Sequence, residues 1–221
     1  MSEYTLLSDE ALEEKQVYTD LTTALENAAD CYQLELTGDG ASLTDLAEAF
    51  PQLPRLQVIV IREHPNLKFI PKTLGLLRNL QYLEIRESGI ESLPANIQDC
   101  QHLTDLVVSD CPNFNIFPAA LGNCTALVYL EISGTALPTV EDAIGQLNQL
   151  EDLNLNNNRL HTLPETIQNL TVLQTLRTYG NFAMRIPGLA FSRLRALKTF
   201  DHGVVQFEGS NLDDVKTAMP N

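Results

Sequence analysis

The sequence predicts an α/β solenoid, in which similar coils stack and share one hydrophobic core. Two observations predict it. The frame L-x-x-L-x-L recurs at a nearly constant interval, and a second signature, as in "FIPKTLGLL" and "TLPETIQNL", recurs between the frames. The frames begin 24, 23, 24, 23, 23 and 24 residues apart, at Leu56, Leu80, Leu103, Leu127, Leu150, Leu173 and Leu197, and a weaker copy begins at Cys31. Such a period is typical of repeat architectures, whose units bury their apolar faces against one another.

Each frame predicts a short β-strand, because alternate side chains of a strand face opposite ways. The leucines then point into the core, and the intervening residues point outward. Strands of successive coils pair in parallel and form one sheet of eight strands. Turns and short helical pieces are predicted opposite the sheet, with prolines in their first turns, at Pro71, Pro94, Pro118 and Pro164. Because this side needs more room per coil than a strand, the stack should curve with the sheet on its concave face.

The ninth position of the frame is predicted to be a buried polar position. In "LEDLNLNNNRL" this residue is Asn158, at the point where the chain leaves the strand and bends inward. A buried amide there can satisfy backbone groups that would otherwise lack partners. The equivalent residues in the other frames are His64, Ser88, Cys111, Thr135 and Asn181.

These frames resemble the leucine-rich repeat, and the "L-P-x-x-I-x-x-L" half is similar to the 23-residue class of bacterial and intracellular proteins. The resemblance covers residues 31 to about 205. It implies a right-handed horseshoe with a parallel sheet on the concave face. Residues 1–30 are predicted to form a helical N-terminal cap beginning at Ser8 or Asp9, residues 31–205 the solenoid of about eight coils, and residues 206–221 a C-terminal cap or tail.

Charge and composition narrow the classes of partner. The chain has 221 residues, 44% of them hydrophobic, and a net charge of −15. Residues 1–50 carry twelve acids and one base, which disfavours nucleic acid and anionic membranes as partners. No apolar run is long enough to span a membrane, and the N-terminus does not resemble a secretory signal. A monomer in an intracellular, reducing compartment is expected, either cytoplasmic or delivered into a host cell.

The cysteines support the same compartment. Cys31, Cys100, Cys111 and Cys124 all fall at core positions of the frame, where reduced thiols act as small hydrophobic groups. A Cys100–Cys124 disulfide, or modification at the triplets that begin at Asn123 and Asn169, would instead favour a secreted adhesion protein. No catalytic residue, metal ligand set or cofactor loop is recognisable, because the four histidines are widely spaced and no glycine-rich phosphate loop is present.

Binding is expected on the outward residues of the strands, at the third, fifth and seventh frame positions. Val58, Val60, Tyr82, Val107 and Tyr129 predict an exposed apolar and aromatic stripe, flanked by acids. The expected partner is therefore a protein with a basic and apolar surface. The candidate binding residues are Val58, Val60, Arg62, Tyr82, Glu84, Arg86, Asp105, Val107, Tyr129, Glu131, Asp152, Asn154 and Arg177. The seventh position of the last complete frame is assigned to Thr178.

The leading functional hypothesis is a non-catalytic protein-recognition module. The run "LTTALENAADCYQLEL", followed by "LP…L…L" coils, is similar to the repeat domain of a plant-pathogen effector that is a ubiquitin ligase. This resemblance implies the repeat domain of a bacterial effector, or the substrate-recognition part of a ligase whose catalytic domain lies elsewhere. A surface or secreted adhesion protein is the other alternative.

Overall fold

A computed structural model describes residues 5–38, 42–182, 184–187, 193–203 and 206–208. One nine-stranded sheet dominates it, and every pair of neighbouring strands in this sheet is parallel. This confirms the predicted solenoid. The strands are β1 Val17–Tyr18, β2 Gln33–Thr37, β3 Val58–Arg62, β4 Tyr82–Arg86, β5 Asp105–Ser109, β6 Tyr129–Ser133, β7 Asp152–Asn154, β8 Thr175–Arg177 and β10 Thr199–Asp201. A separate pair joins β9 Arg185–Pro187 to β11 Gln206–Glu208.

The sheet register places equal frame positions side by side. Val58 pairs with Tyr82, Tyr82 with Asp105, and Asp105 with Tyr129. The first leucines of the frames from Leu56 to Leu173 are fully buried, at 0% exposure. Stacking in register thus builds one continuous aliphatic column, and each coil buries its apolar face on its two neighbours.

Short 3₁₀ helices face away from the sheet: η1 Phe50–Gln52, η2 Lys72–Leu76, η3 Ala95–Asp99, η4 Ala119–Asn123, η5 Asp142–Gln146 and η6 Glu165–Asn169. The prolines lie one residue earlier than predicted. Pro71 and Pro94 are extended N-cap residues, and their carbonyls accept hydrogen bonds from the amides of Leu74 and Ile97, both at 3.0 Å. Proline suits this position because it donates no hydrogen bond there and its φ is already fixed.

The N-terminal cap contains a strand that the sequence did not reveal. Helix α1 Asp9–Glu13 begins after Ser8, whose side chain caps the Ala11 amide, and helix α2 Leu21–Glu26 follows β1. Strand β1 pairs with the outer edge of β2, with Val17 opposite Gln33. Backbone groups at a sheet edge need partners, and the two residues of β1 cover the edge at Gln33 and Leu34. A third helix, α3 Leu43–Ala49, carries a capping box between Ser42 and Asp45.

The predicted C-terminal cap lies mostly outside the described residues. Strand β11 is described, and residues 209–221 are not. The boundaries at residues 30/31 and 205/206 therefore stay predictions.

The ninth frame positions are buried and hydrogen-bonded, as predicted. The Asn158 amide donates to the carbonyls of Ile132 at 2.6 Å and Leu155 at 2.9 Å, and its oxygen accepts from the Thr135 hydroxyl. Asn181 repeats the arrangement one coil later, where its amide donates to the Leu155 carbonyl at 2.8 Å. Because these carbonyls belong to neighbouring coils, the amides join the coils where the strand ladder stops.

The eighth frame position adopts a left-handed backbone in every coil from Gly38 to Gly180. Glycine or asparagine occupies four of these positions, but Glu63, Glu87 and Asp110 occupy three, with φ of 59°, 49° and 53°. Each of these turns continues the ladder: the Glu87 amide donates to the Ser109 carbonyl at 3.1 Å. Residues other than glycine are strained in this conformation.

The four cysteines are buried thiols at the predicted core positions. The Cys100 and Cys124 thiols donate to the carbonyls of Leu74 and Ile97, at 3.5 and 3.4 Å. Burial raises the pKa of both thiols to about 12. At neutral pH they are therefore protonated, weakly nucleophilic core groups.

Asn158→Ala is expected to lower the free energy of unfolding by roughly 2–4 kcal/mol, because it removes a buried side chain that bonds the Ile132 and Leu155 carbonyls and the Thr135 hydroxyl. Urea denaturation measures this. Asn148→Ala is the control, at an exposed position shortly before β7, the strand that Asn158 follows. It should change stability by less than about 0.5 kcal/mol. Equal effects of the two substitutions would contradict the joining role.

Gly134→Ala and Glu87→Gly should have opposite effects on stability. A Cβ at Gly134, where φ is +60°, would lie 2.4 Å from Asp110 Oδ1, so alanine should cost about 1–3 kcal/mol. Glycine at position 87 removes the strain of a left-handed glutamate and should raise stability by up to about 1 kcal/mol. Thermal denaturation of both variants beside the wild type checks this, and a destabilised Glu87→Gly would show that the strain is absent.

Candidate functional site

The concave face of the sheet carries the candidate binding residues in three rows. The third frame positions form the first row, the fifth positions the second and the seventh positions the third. Strand register aligns the rows across the sheet: Glu84 lies beside Val107, and Val107 beside Glu131. All thirteen predicted residues lie on strands of this sheet at these positions.

On β3 to β6 the second row is covered, which corrects the predicted exposed stripe. Val60 and Val107 are 9% and 2% exposed, and Glu84 and Glu131 are 3% and 9% exposed. In this row a side chain is surrounded by the rows on either side and by parallel strands about 4.8 Å away. Of the predicted stripe, Val58, Tyr82 and Tyr129 are half-buried and still reach the surface.

Glu84 is the centre of a closed polar network. Its carboxylate accepts from the Tyr82 hydroxyl at 2.6 Å and pairs with Arg62 at 2.7 Å and with Arg86 at 3.1 Å. Arg62 also reaches Glu35 at 3.0 Å. Burial by itself would raise the pKa of Glu84, but the Tyr82 and Arg62 hydrogen bonds and the positive charge of Arg86 outweigh it and hold the pKa below its usual value.

Glu131 repeats this arrangement without the arginines. It accepts from the Tyr129 hydroxyl and from the Ser133 hydroxyl, both at 2.6 Å. Burial, together with the bonds to Glu84 and Glu131, raises the pKa of Tyr82 and Tyr129, so both hydroxyls stay protonated donors. In the described part of the chain, no lysine or arginine nitrogen lies within 4.0 Å of the Glu131 carboxylate.

The last coils add one ion pair and an amide turn. Asp152 accepts from Arg177 at 2.6 Å. Asn156 accepts from the Tyr179 amide at 2.8 Å, so this asparagine organises the strand exit as well as facing outward. The assignment of Thr178 to the face was wrong: it is fully buried, and Tyr179, six residues after Leu173, is 55% exposed at the seventh position. A strict count of the frame finds this tyrosine.

The charge of the face is therefore divided along the sheet. On β2 to β4, the acids Glu35 and Glu84 are matched by Arg62 and Arg86. On β5 to β7, Asp105 and Glu131 have no ion pair among the described residues, and Asp152 forms an ion pair with Arg177. The predicted acidic surface is thus confined to the middle and C-terminal strands.

A second surface lies on the flank of the solenoid. Leu43, Phe69, Ile70, Pro71 and Pro94 line a shallow, almost wholly apolar groove between α3 and the first 3₁₀ helices of the repeat. Phe69 is 44% exposed there. The sequence analysis gave no role to the residues just before each proline, such as Phe69, and so it missed this groove.

Among the described residues, no group of three or more histidine, cysteine, aspartate or glutamate side chains is arranged to hold a metal ion. Within the same part of the chain, no helix is both long enough and apolar enough to cross a membrane.

Glu84 should make stability depend on pH in the acid range. A carboxyl whose pKa is lowered by folding stabilises the protein above its unfolded pKa, near 4.5, and loses that contribution as the pH falls through the folded pKa. Glu84→Gln should therefore flatten the decline of stability below about pH 4.5. Chemical denaturation at several pH values from 3 to 7 tests this, and an acid limb as steep as that of the wild type would contradict it.

Comparison with known proteins agrees with the fold. A family model described as "Leucine rich repeat" matches residues 101–160, which contain β5, β6 and β7. A search of curated proteins by sequence finds no match.

Solved structures with the same architecture come from bacteria and plants. A leucine-rich-repeat protein of Leptospira interrogans is 24% identical, with a TM-score of 0.61, and the match covers 91% of this chain and 62% of that one. The plant peptide hormone receptor RGFR1, in complex with RGF2, is 25% identical, with a TM-score of 0.65 and coverage of 86% and 32%.

The leucine-rich repeat domain of the type III effector XopL is 21% identical, with a TM-score of 0.64 and coverage of 80% and 66%. This chain thus spans less than two thirds of each of these three structures. At such identities the likeness to the Leptospira protein and to XopL concerns the fold. The recurring frame, the register of the sheet and the family match at residues 101–160 all agree that this chain has the leucine-rich-repeat solenoid fold.

Proposed function

We propose that this protein is a non-catalytic recognition module that binds a protein partner on the concave face of its sheet. The observation that carries the proposal is the rigid face of β4 to β8, where half-buried Tyr82 and Tyr129 lie beside Asp105, and Asp105 and Glu131 have no ion pair among the described residues. Tyrosine gives large contact area at a low cost in conformational entropy, and a sheet held by parallel ladders is already ordered before binding. The leucine-rich-repeat fold supports protein interaction in general, and RGFR1 is one structural neighbour in complex with a peptide hormone.

The partner surface that fits this face is basic, with a smaller apolar component than the sequence suggested. Asp105, Glu131 and Asp152 present negative charge on three neighbouring strands. Val60 and Val107 are covered and contribute little contact area. Tyr82, Tyr129 and Val58 supply the remaining apolar surface. Complementary charge of this kind guides orientation and association rate.

The compartment and the context are narrower proposals. Four buried thiols support a reducing compartment. The effector hypothesis rests on the run at residues 21–36 and on the fold likeness to XopL, and it would make the partner a host-cell protein. The hypotheses of a ligase recognition domain and of an adhesion protein gain no specific support from the concave face.

The test is a steric block of the concave face. Asn154 is half-buried beside Glu131, so Asn154→Trp places an indole in the middle of the face. A protein captured by the wild-type chain from lysate is purified, and its Kd is measured by calorimetry. We expect Asn154→Trp to weaken binding at least tenfold, which is about 1.4 kcal/mol.

Gln168→Trp is the matched control, because Gln168 has the same half-buried exposure on the convex helix η6. It should leave the Kd unchanged. If Gln168→Trp blocks binding and Asn154→Trp does not, the partner binds the convex side and the proposal fails.

A further inference from the structure

We propose that the concave face holds a preformed socket for one arginine side chain of the partner protein, centred on Glu131 and bordered by Asp105 and Asp152. This inference rests on the proposed function and specifies the partner's chemistry. It comes from comparing two coils of the same chain that share the strand sequence "YLEI": "YLEIR" at residues 82–86 and "YLEIS" at residues 129–133.

The two coils build the same carboxylate site. In each, the tyrosine at the third position donates its hydroxyl to the glutamate at the fifth position at 2.6 Å. Both glutamates are more than nine-tenths buried, at 3% and 9% exposure. Glu84 therefore shows, within this chain, what a carboxylate in this environment binds.

Glu84 binds two guanidinium groups, and each comes from a defined position. Arg62 lies at the seventh position of the preceding coil, and Arg86 at the seventh position of the same coil. The corresponding positions around Glu131 are Ser109 and Ser133. Both arginines are thus replaced by serines, whose hydroxyls are uncharged.

The serines leave Glu131 hydrogen-bonded but not neutralised. The Ser133 hydroxyl occupies one carboxylate oxygen at 2.6 Å, and Ser109 is occupied by Arg86, which donates to its hydroxyl at 2.7 Å. A buried carboxylate is costly unless a positive charge accompanies it. A cation supplied by a partner should therefore bind Glu131 with a more favourable free energy than it would bind an ordinary surface acid.

The border of the socket adds further negative charge. Asp105 and Asp152 flank Tyr129 in register, one on each neighbouring strand. Asp105 has no ion pair among the described residues, whereas Arg177 holds Asp152 at 2.6 Å. Asp105 and Glu131 are thus left with two negative charges to one side of the Asp152–Arg177 pair.

Arginine fits this site better than lysine or a divalent metal ion. A guanidinium is planar and can donate to several carboxylates at once, as Arg62 does to Glu35 and Glu84. Tyr129 and Ser133 already donate hydrogen bonds to Glu131, which leaves too few oxygen ligands for the six that calcium or magnesium requires.

The experiment uses Nα-acetyl-arginine amide as the probe, with the citrulline analogue, which lacks the charge, as its control. Titration followed by amide NMR shifts should show saturable changes at residues 129–133 for arginine and at least tenfold weaker binding for citrulline. Glu131→Gln should abolish the changes. Acetyl-lysine amide should bind more weakly than arginine.

Ser133→Arg is the decisive variant, because it restores the arginine that Arg86 provides for Glu84. It should neutralise Glu131 from within, raise the Tm by about 2–4 °C, and abolish binding of the probe. Thr171→Arg, at an exposed position in the turn between η6 and β8, adds the same charge and should change neither. A probe that binds Ser133→Arg as tightly as the wild type, or citrulline as tightly as arginine, would overturn the socket.

The two proposals fail separately. If the Asn154→Trp variant fails to bind the captured partner while the Ser133→Arg variant binds it normally, the concave face is the binding surface. The partner then does not use the socket. If Asn154→Trp leaves the partner bound, the proposed function fails, and the arginine titration still reports whether the site itself exists.

Discussion

The structure depends on one constraint: no coil can bury its leucines alone. In an isolated coil, the leucines at the first and fourth frame positions would be exposed on both sides of the coil. Only a neighbouring coil in the same register covers them. The fully buried column from Leu56 to Leu173 is the outcome. Because register is set by this column, the outward residues are also aligned, and residues 23 or 24 apart in sequence become neighbours on the concave face.

Stacking leaves backbone groups without partners wherever the chain turns out of the strand. The buried amides of Asn158 and Asn181 satisfy those of two coils at once, and the left-handed residue just before them carries the chain through the turn. Three coils tolerate an acid in that left-handed position. These strained conformations persist because the neighbouring coils hold the turn from both sides.

The same stacking decides which charges remain available on the concave face. Arg62 lies on β3 and Glu84 on β4, so their ion pair exists only because the coils are in register. Where serines replace the arginines, as around Glu131, a carboxylate that is also buried has no ion pair in the described part of the chain. The charge of the face can thus change through a local change in an otherwise repeated motif, with no change in the fold.

The sequence by itself determined the coil, its period, the core column and the thirteen candidate positions on the face, because leucine spacing reports register directly; the exception was Thr178, which was assigned to the face in place of Tyr179. It also located the buried polar position at Asn158. Only the tertiary structure decided that Val60 and Val107 are covered, that β1 extends the sheet, and that Glu84 is neutralised while Glu131 is not. The physical reason is that the exposure and charge of an outward side chain depend on residues one coil away, whose lengths and contacts a repeat pattern does not encode.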